Sequence, residues 1–205
     1  MTNLSLMDRP GVVRRGQRLT RATIAYNSLE AVLSIGAGLV AGSVALVGFG
    51  FDSLIELTSS LAGLWRLRSD AAPAARFRSE RLALRIIGIC FLLLAGYILV
   101  DAAFTLIAGQ APRESPLGLF IAAGSLVVMP LLARAKRRVA AQLASTALTA
   151  EARQTEICTY LSAILLGGLG LNALFGWWWA DPVAALVMVP LIGREGLEAL
   201  RGRSA

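Results

Sequence analysis

The sequence predicts an all-α integral membrane protein with six transmembrane helices. Of its 205 residues, 56% are hydrophobic and 16% are charged, and the apolar residues gather into runs longer than a soluble core needs. A helix needs about 20 mostly apolar residues to cross the hydrocarbon layer of a membrane. Six runs are long enough, and they cover residues 22–44, 44–65, 86–108, 116–133, 154–176 and 181–197.

The positions of the basic residues support six crossings. Lys and Arg cluster before the first span, between the second and third, between the fourth and fifth, and after the last, whereas only Arg113 falls in another loop. Because cytoplasmic loops collect Lys and Arg, we expect both termini in the cytoplasm. The short loops and arginine-rich inner ends suggest a multi-pass protein of a bacterial inner membrane. We therefore interpret the net charge of +7 as a topology signal and expect no nucleic-acid partner.

The spans leave little room for another module. Residues 1–21 are predicted to form a basic cytoplasmic segment, and residues 22–200 a single six-helix transmembrane domain. The first apolar run is too long for the core of a cleavable signal peptide, so it should remain as the first span. Cys90 and Cys158 both fall inside spans, which argues against a disulfide framework.

Turn-forming residues separate the spans, as in GQAPRESP before the fourth and GWWWADP between the fifth and sixth. The tryptophans should lie at headgroup depth, and Asp181 should be the N-cap of the sixth helix ahead of Pro182. Small residues in GAGLVAG (36–42) and GGLGLN (167–172) should let helix backbones approach closely, by default within one chain.

Several carboxylates lie within the apolar runs. An ionised side chain at the bilayer centre costs about 2.5 to 3.5 kcal/mol, so these acids need partners, protons or a metal ion. The acids are Glu30, Asp52, Glu56, Asp101 and Glu156. Since the sequence contains no histidine, carboxylates and Cys158 are the obvious ligands for a divalent cation.

Helical spacing sorts the polar residues into three stripes, because positions three and four apart lie above one another. The stripe on the second span is Asp52, Glu56, Ser59, Ser60 and Gly63; on the fifth, Glu151, Gln154, Thr155, Cys158 and Ser162; on the first, Asn27, Glu30, Ser34 and Gly38. We expect all three to face inward and form a polar pathway. Glu156 points about 200° away from Cys158 and should make an ion pair or a helix contact instead.

The stripes on the first two spans resemble a known family. Residues 26–60 read YNSLEAVLSIGAGLVAGSVALVGFGFDSLIELTSS, which is similar to the first two helices of the cation diffusion facilitator family. In that family an Asn opens the first helix, a Gly and a Ser precede the turn, and a D-x-x-x-D pair follows on the second helix. Asp52 and Glu56 match this pair, with Glu in place of the second Asp. GWWWADPVAALVM resembles the start of the family's sixth helix.

The fifth span departs from the family pattern, which commonly reads D-A-x-H-x-x-x-D-x-x-x-S. The aligned residues are Glu151, Ala152, Gln154, Cys158 and Ser162. The resemblance implies a four-ligand metal site made of Asp52, Glu56, Gln154 and Cys158. A thiolate suits zinc, cadmium or cuprous ions, whereas an amide carbonyl suits manganese or calcium, so the pattern leaves the metal open. Asn27 and Glu30 form either an accessory proton or ion site or a packing contact with Arg21 or another helix.

The resemblance implies a secondary transporter that exports a divalent metal cation, such as zinc, from the cytoplasm in exchange for protons. It also implies a homodimer, a cation-efflux-like fold and no catalytic residues or cofactor, so we expect no enzymatic activity. With no histidine present, proton exchange would run through Asp52 and Glu56. Most family members continue into a cytoplasmic metal-sensing domain, which we expect this chain to lack.

Two alternatives remain open at this stage. The altered fifth span is compatible with a non-transporting or repurposed member of the same fold. A membrane enzyme acting on lipid would need arginines or a nucleophile beside the acids at membrane depth, and the spans show no such cluster.

Overall fold

The computed structural model describes residues 9–68, 73–109 and 112–201, although not the side chains at 9, 66, 68, 73–84, 86, 87, 146, 147 and 150. Six α-helices fill these ranges. Their bounds are α1 Arg9–Ala41, α2 Val44–Arg68, α3 Pro73–Ala108, α4 Pro116–Leu143, α5 Thr146–Phe175 and α6 Ala180–Leu200. The predicted all-α, six-helix class is confirmed.

Within the described ranges, five helices are long and apolar enough to cross a membrane. The qualifying stretches are Pro10–Ala41, Val44–Trp65, Gly88–Ala108, Pro116–Leu143 and Glu151–Phe175. The sixth helix, α6, has 21 residues, but Arg194, Glu195 and Glu198 occupy its last turns. Its continuous apolar stretch is therefore shorter than in the other helices.

The helices extend beyond the apolar runs that predicted them. α1 begins at Arg9, so the described part of the basic 1–21 segment is helical, and residues 1–8 lie outside the described part. α4 continues to Leu143 instead of ending near residue 133, and α5 begins at Thr146 instead of 154. Hydropathy marks only the residues suited to hydrocarbon, whereas the backbone hydrogen bonds of a helix continue through polar residues. This extension places Lys136 within α4.

Serine caps begin α4 and α5, and a tight turn joins the two helices. Ser115 Oγ accepts a hydrogen bond from the Gly118 amide at 3.1 Å, and Ser145 Oγ accepts one from the Leu148 amide at 3.3 Å. Between the two helices, Ala144 adopts the left-handed conformation with φ 48°, which reverses the chain at once. α4 and α5 consequently pack as an antiparallel pair.

The helices form two groups that share one core. α1 packs on α2 and α4, α4 packs on α5, α2 contacts α5, and α3 packs on α6. Phe49 of α2, Ile98 of α3 and Leu161 of α5 are fully buried together with Met188 of α6. One glycine of each small-residue motif permits close packing inside the chain, whereas an added Cβ at Gly36, Gly42, Gly167 or Gly170 would meet nothing within 4 Å. A Cβ added at Gly38 would lie 2.8 Å from the Val47 amide nitrogen, and one at Gly168 would lie 2.6 Å from the Ala184 Cβ.

Asp181 plays a different part from the predicted one. α6 begins at Ala180, Trp179 holds the N-cap position, and no side chain caps the helix, so the N-cap role predicted for Asp181 is wrong. Asp181 is fully buried and accepts hydrogen bonds from Ser43 Oγ at 2.5 Å and from the Ala45 amide at 3.5 Å. The Asp181 carboxylate binds these groups instead of capping its own helix, because the buried hydroxyl and amide at the α1–α2 turn need an acceptor.

Replacing Asp181 by alanine should lower the free energy of unfolding by about 2 kcal/mol, because it strands the Ser43 hydroxyl and the Ala45 amide without an acceptor. Thermal unfolding of the detergent-solubilised protein would measure the loss. Asp101→Ala is the matched control: its carboxylate accepts only a partly exposed bond from Tyr97 at 3.1 Å, so we expect a change within about 0.5 kcal/mol. Equal effects of the two substitutions would contradict a special role for Asp181.

Candidate cation site

The polar stripes of α2 and α5 face each other in the bundle interior. The two helices run antiparallel, and acids on each of them contact polar groups on the other. Glu56 Oε1 lies 2.6 Å from Thr155 Oγ1, and Ser60 Oγ donates to Glu151 Oε1 at 3.1 Å. All four side chains are buried, with exposed fractions of 3% or less. The predicted meeting of these two stripes is confirmed.

Asp52 and Cys158 form the next layer of this interface. Asp52 lies one helical turn before Glu56 on α2 and is 3% exposed. The Cys158 thiol is a neighbour of the Asp52 carboxyl group and is 1% exposed. A carboxylate and a sulfur atom therefore adjoin each other at this level. Their use as metal ligands stays a prediction.

Gln154 contributes less to this interface than Thr155 does. Its side chain is buried and its Nε2 atom has no hydrogen-bond partner. Thr155, one position further along α5, is the residue that touches Glu56, because it lies four residues after Glu151 and three before Cys158 on the same face. Gln154 remains a predicted ligand, whereas Thr155 is a contact that the ligand set missed.

The pair proposed as accessory residues, Asn27 and Glu30, lies on α1 against α2. Ser53 Oγ is 2.8 Å from Glu30 Oε2 and 3.1 Å from the Phe49 carbonyl, so its single hydrogen serves one of them at a time. Glu30 thus faces α2. Both polar atoms of the Asn27 side chain and Glu30 Oε1 are buried without a hydrogen-bond partner. Unpaired buried atoms of this kind are costly unless a cation, a proton or water joins them.

The group that sequence reasoning missed is Lys136 of α4. Its Nζ atom lies 3.1 Å from Glu151 Oε1 and 3.7 Å from Glu56 Oε1, and it donates to Thr155 Oγ1 at 3.0 Å. Lys136 is only 5% exposed, whereas the hydropathy boundary of the fourth span had placed it in a solvated loop. Its ammonium group neutralises part of the charge carried by the two glutamates.

Two signals in the sequence could have identified Lys136. It is the only lysine among 20 Lys and Arg residues. It also continues the inward face of α4, where Ser125, Met129 and Ala133 are buried at helical spacing. The signal from spacing requires the helix to extend past residue 133, because position 136 lies on the inward face only if the chain is still helical there.

Glu156 lies outside this interface, as its helical angle predicted. It forms an ion pair with Arg137 of α4 on a partly exposed face. Among the residues that the structure describes, no three His, Cys, Asp or Glu side chains converge closely enough to hold a metal ion. Instead, the lysine ammonium lies among the oxygens of Glu56, Ser60, Glu151 and Thr155, which we call the lysine subsite.

A family model described as the cation efflux transmembrane domain matches residues 20–202. The chain belongs to the cation efflux family. The resemblance to cation diffusion facilitators carried by Asp52 and Glu56 is thereby confirmed. This family consists of metal cation transporters, so the bundle is a cation efflux transmembrane domain.

Individual relatives are distant but cover most of the chain. The manganese efflux system protein MneS of Bacillus subtilis (strain 168) is 24% identical over 97% of this chain and 70% of its own length. The cation-efflux pump FieF of Shewanella oneidensis is 23% identical over 87% of this chain and 62% of its own length. The uncharacterized transporter MJ0449 of Methanocaldococcus jannaschii is 26% identical, with 86% and 64% covered. The chain therefore spans roughly two thirds of the length of these cation efflux relatives.

Proposed function

We propose that this cation efflux domain carries a divalent metal cation across the membrane along the interface of α2 and α5. The observation that supports it best is the burial of Asp52 and Glu56, at 3% and 1% exposure, facing polar groups of α5. Paired acids at membrane depth are costly and are kept where a cation or proton uses them. Asp52, Glu56, Gln154 and Cys158 are the proposed ligands, with Asn27 and Glu30 as accessory groups.

The proposed cycle exports the cation from the cytoplasm and returns protons. The chain has no histidine, so the carboxyl groups of the pathway are the proton carriers. For export, the proposed orientation of the chain has both termini in the cytoplasm, as the arginine-rich loops predict. The proposed location is a bacterial inner membrane. We also propose a homodimer, on the family resemblance, which light scattering of the detergent-solubilised chain would test.

Manganese and zinc are the metals that the ligand chemistry favours. Carboxylate, hydroxyl and amide oxygens of Glu56, Thr155 and Gln154 suit manganese, whereas the Cys158 thiol beside Asp52 suits zinc. One relative is a manganese efflux protein by name, which agrees with the oxygen-rich part of the interface.

Reconstituted vesicles would test the proposal directly. The purified chain would be placed in proteoliposomes containing a metal-sensitive dye and a pH-sensitive dye, and Mn²⁺ or Zn²⁺ would be added outside. Transport predicts a metal signal above that of protein-free liposomes, accompanied by proton movement in the opposite direction. A metal signal equal to the empty control for both ions would refute transport, and metal flux without proton movement would refute the exchange alone.

Substituting Cys158 by serine should separate the two metals. The serine keeps the size of the side chain but replaces a soft sulfur donor by a hard oxygen. We expect the affinity for Zn²⁺ to fall by about tenfold and the affinity for Mn²⁺ to change little. Calorimetric titration of both ions measures this, with Cys90→Ser as the control, because Cys90 is exposed on α3. Equal losses for both metals would argue against sulfur ligation.

A second candidate is a non-transporting member of the same fold. Lys136 favours this candidate, because its ammonium group already pairs with Glu56 and Glu151 at 3.7 and 3.1 Å. A permanently fixed lysine would leave no place for a metal ion at that level. Calorimetry distinguishes the candidates: no heat with Mn²⁺, Zn²⁺, Co²⁺ or Cd²⁺ would favour the non-transporting form.

A further inference from the structure

The lysine subsite has the composition of a cation-binding site. Four oxygen atoms from α2 and α5 surround the Lys136 ammonium group. The distances from Nζ are 3.0 Å to Thr155 Oγ1, 3.1 Å to Glu151 Oε1, 3.5 Å to Ser60 Oγ and 3.7 Å to Glu56 Oε1. Two of these groups are carboxylates and two are hydroxyls. Oxygen donors of this kind are those that hard divalent cations prefer.

Lys136 leaves part of this subsite unused. Glu56 is only 1% exposed, and its Oε2 atom has no hydrogen-bond partner. An ammonium group carries one positive charge, whereas the facing glutamates can carry two negative charges. A divalent cation would balance both carboxylates and could also bind the free oxygen. The subsite thus offers a divalent ion more than it offers the lysine.

A small recess between α1, α4 and α5 adjoins the lysine side chain. Its lining is Thr20, Lys136 and Glu151 together with the apolar residues Gly16, Leu19, Val139 and Leu148. Lysine has a flexible four-carbon stem, so its ammonium group can move without displacing the helix. Glu151 lines both the recess and the lysine subsite, so it stays within reach of an ammonium group that moves toward the recess.

We infer that Lys136 is a tethered competitor of the transported cation: its ammonium group occupies a four-oxygen subsite that a hard divalent cation takes when the side chain moves away. This inference rests on the proposed transport function and adds a position to it: the lysine subsite shares Glu56 with the ligands proposed from the sequence and adds Ser60, Glu151 and Thr155 to them. The lysine keeps the acids neutralised between transport events and sets how tightly the cation binds.

Calorimetric titration of the full chain in detergent with Mn²⁺ alone tests the inference. Lys136→Met keeps the length of the side chain but removes the competing charge, so we expect the Kd for Mn²⁺ to fall by about tenfold. Lys136→Arg keeps the charge and should leave the Kd within about threefold of wild type. An unchanged or raised Kd in Lys136→Met would overturn competition, as would equal tightening in both variants.

A second variant covers the case in which Lys136→Met does not fold. Lys136→Gln removes the competing charge, keeps an amide that can donate hydrogen bonds to Glu151 and Thr155, and leaves all four oxygens of the subsite in place. Its Kd must also lie below that of wild type, and a Kd equal to or above wild type would overturn the inference. The proposed function fails separately, when the wild-type chain itself binds and transports neither Mn²⁺ nor Zn²⁺.

Discussion

Replacing Asp52 and Glu56 together by alanine should reduce metal flux in proteoliposomes by more than about a hundredfold. Groups that only support metal ligands are worth about 10- to 100-fold in affinity, so the loss of the two carboxylates proposed as direct ligands should exceed that. The double substitution also removes the negative charge that compensates for the cost of taking a cation out of water. The variant should still fold, because Lys136 keeps its 3.1 Å ion pair with Glu151.

The control for this experiment is Glu156→Ala. Glu156 lies on α5 but pairs with Arg137 on a partly exposed face, away from Asp52. A partly exposed ion pair contributes little, so flux should stay within about twofold of wild type. Undiminished flux in the double variant would exclude the interface of α2 and α5 as the pathway. Equal loss in Glu156→Ala would point to a general effect of removing acids.

Replacing Gly50 by valine should destabilise the protein by about 3 kcal/mol or more, at the upper end of overpacking effects. Gly50 lies where α2 packs closely against α1. A Cβ at this position would lie 2.9 Å from the Ile35 amide nitrogen and 2.6 Å from the Ile35 Cγ1. The backbone nitrogen cannot move aside as a flexible side chain could, so the helices must separate. Asp52 lies two residues away, and metal affinity should fall together with stability.

The matched control is Gly36→Val on α1. It introduces the same side chain at an exposed helical glycine, where an added Cβ meets nothing within 4 Å. Thermal unfolding in detergent should show a change within about 0.5 kcal/mol for Gly36→Val. If both substitutions destabilised equally, helix propensity or lipid contact would be the cause instead of the close approach between α1 and α2.

The membrane-spanning helices could be predicted because hydrocarbon imposes a local requirement. Each span must be apolar over about 20 residues, and its polar side chains must gather on one face. Both features can therefore be recognised in the sequence of a single helix. The stripe of Asp52 and Glu56 and the stripe of Glu151 and Cys158 followed from spacing alone. Two polar stripes that both face the interior of a small bundle are expected to meet, and Glu56 Oε1 and Thr155 Oγ1 do so at 2.6 Å.

Other features escaped prediction because they depend on contacts between distant segments. Asp181 has the position of a helix cap, but the structure uses it to bind Ser43 at 2.5 Å. Gln154 and Thr155 are adjacent in the sequence, and only the rotation of α5 against α2 selects Thr155 as the partner of Glu56. No local pattern contains that rotation.

By itself, the sequence determined a six-helix membrane bundle with acids on its inner faces, because periodicity and apolar length are properties of each helix alone. The tertiary structure alone decided that the single lysine of the chain is buried at 5% exposure between two glutamates. Hydropathy assigns a lysine to the solvent. The packing of α4 on α5 surrounds this one with carboxylates, whose attraction offsets the cost of removing its charge from water.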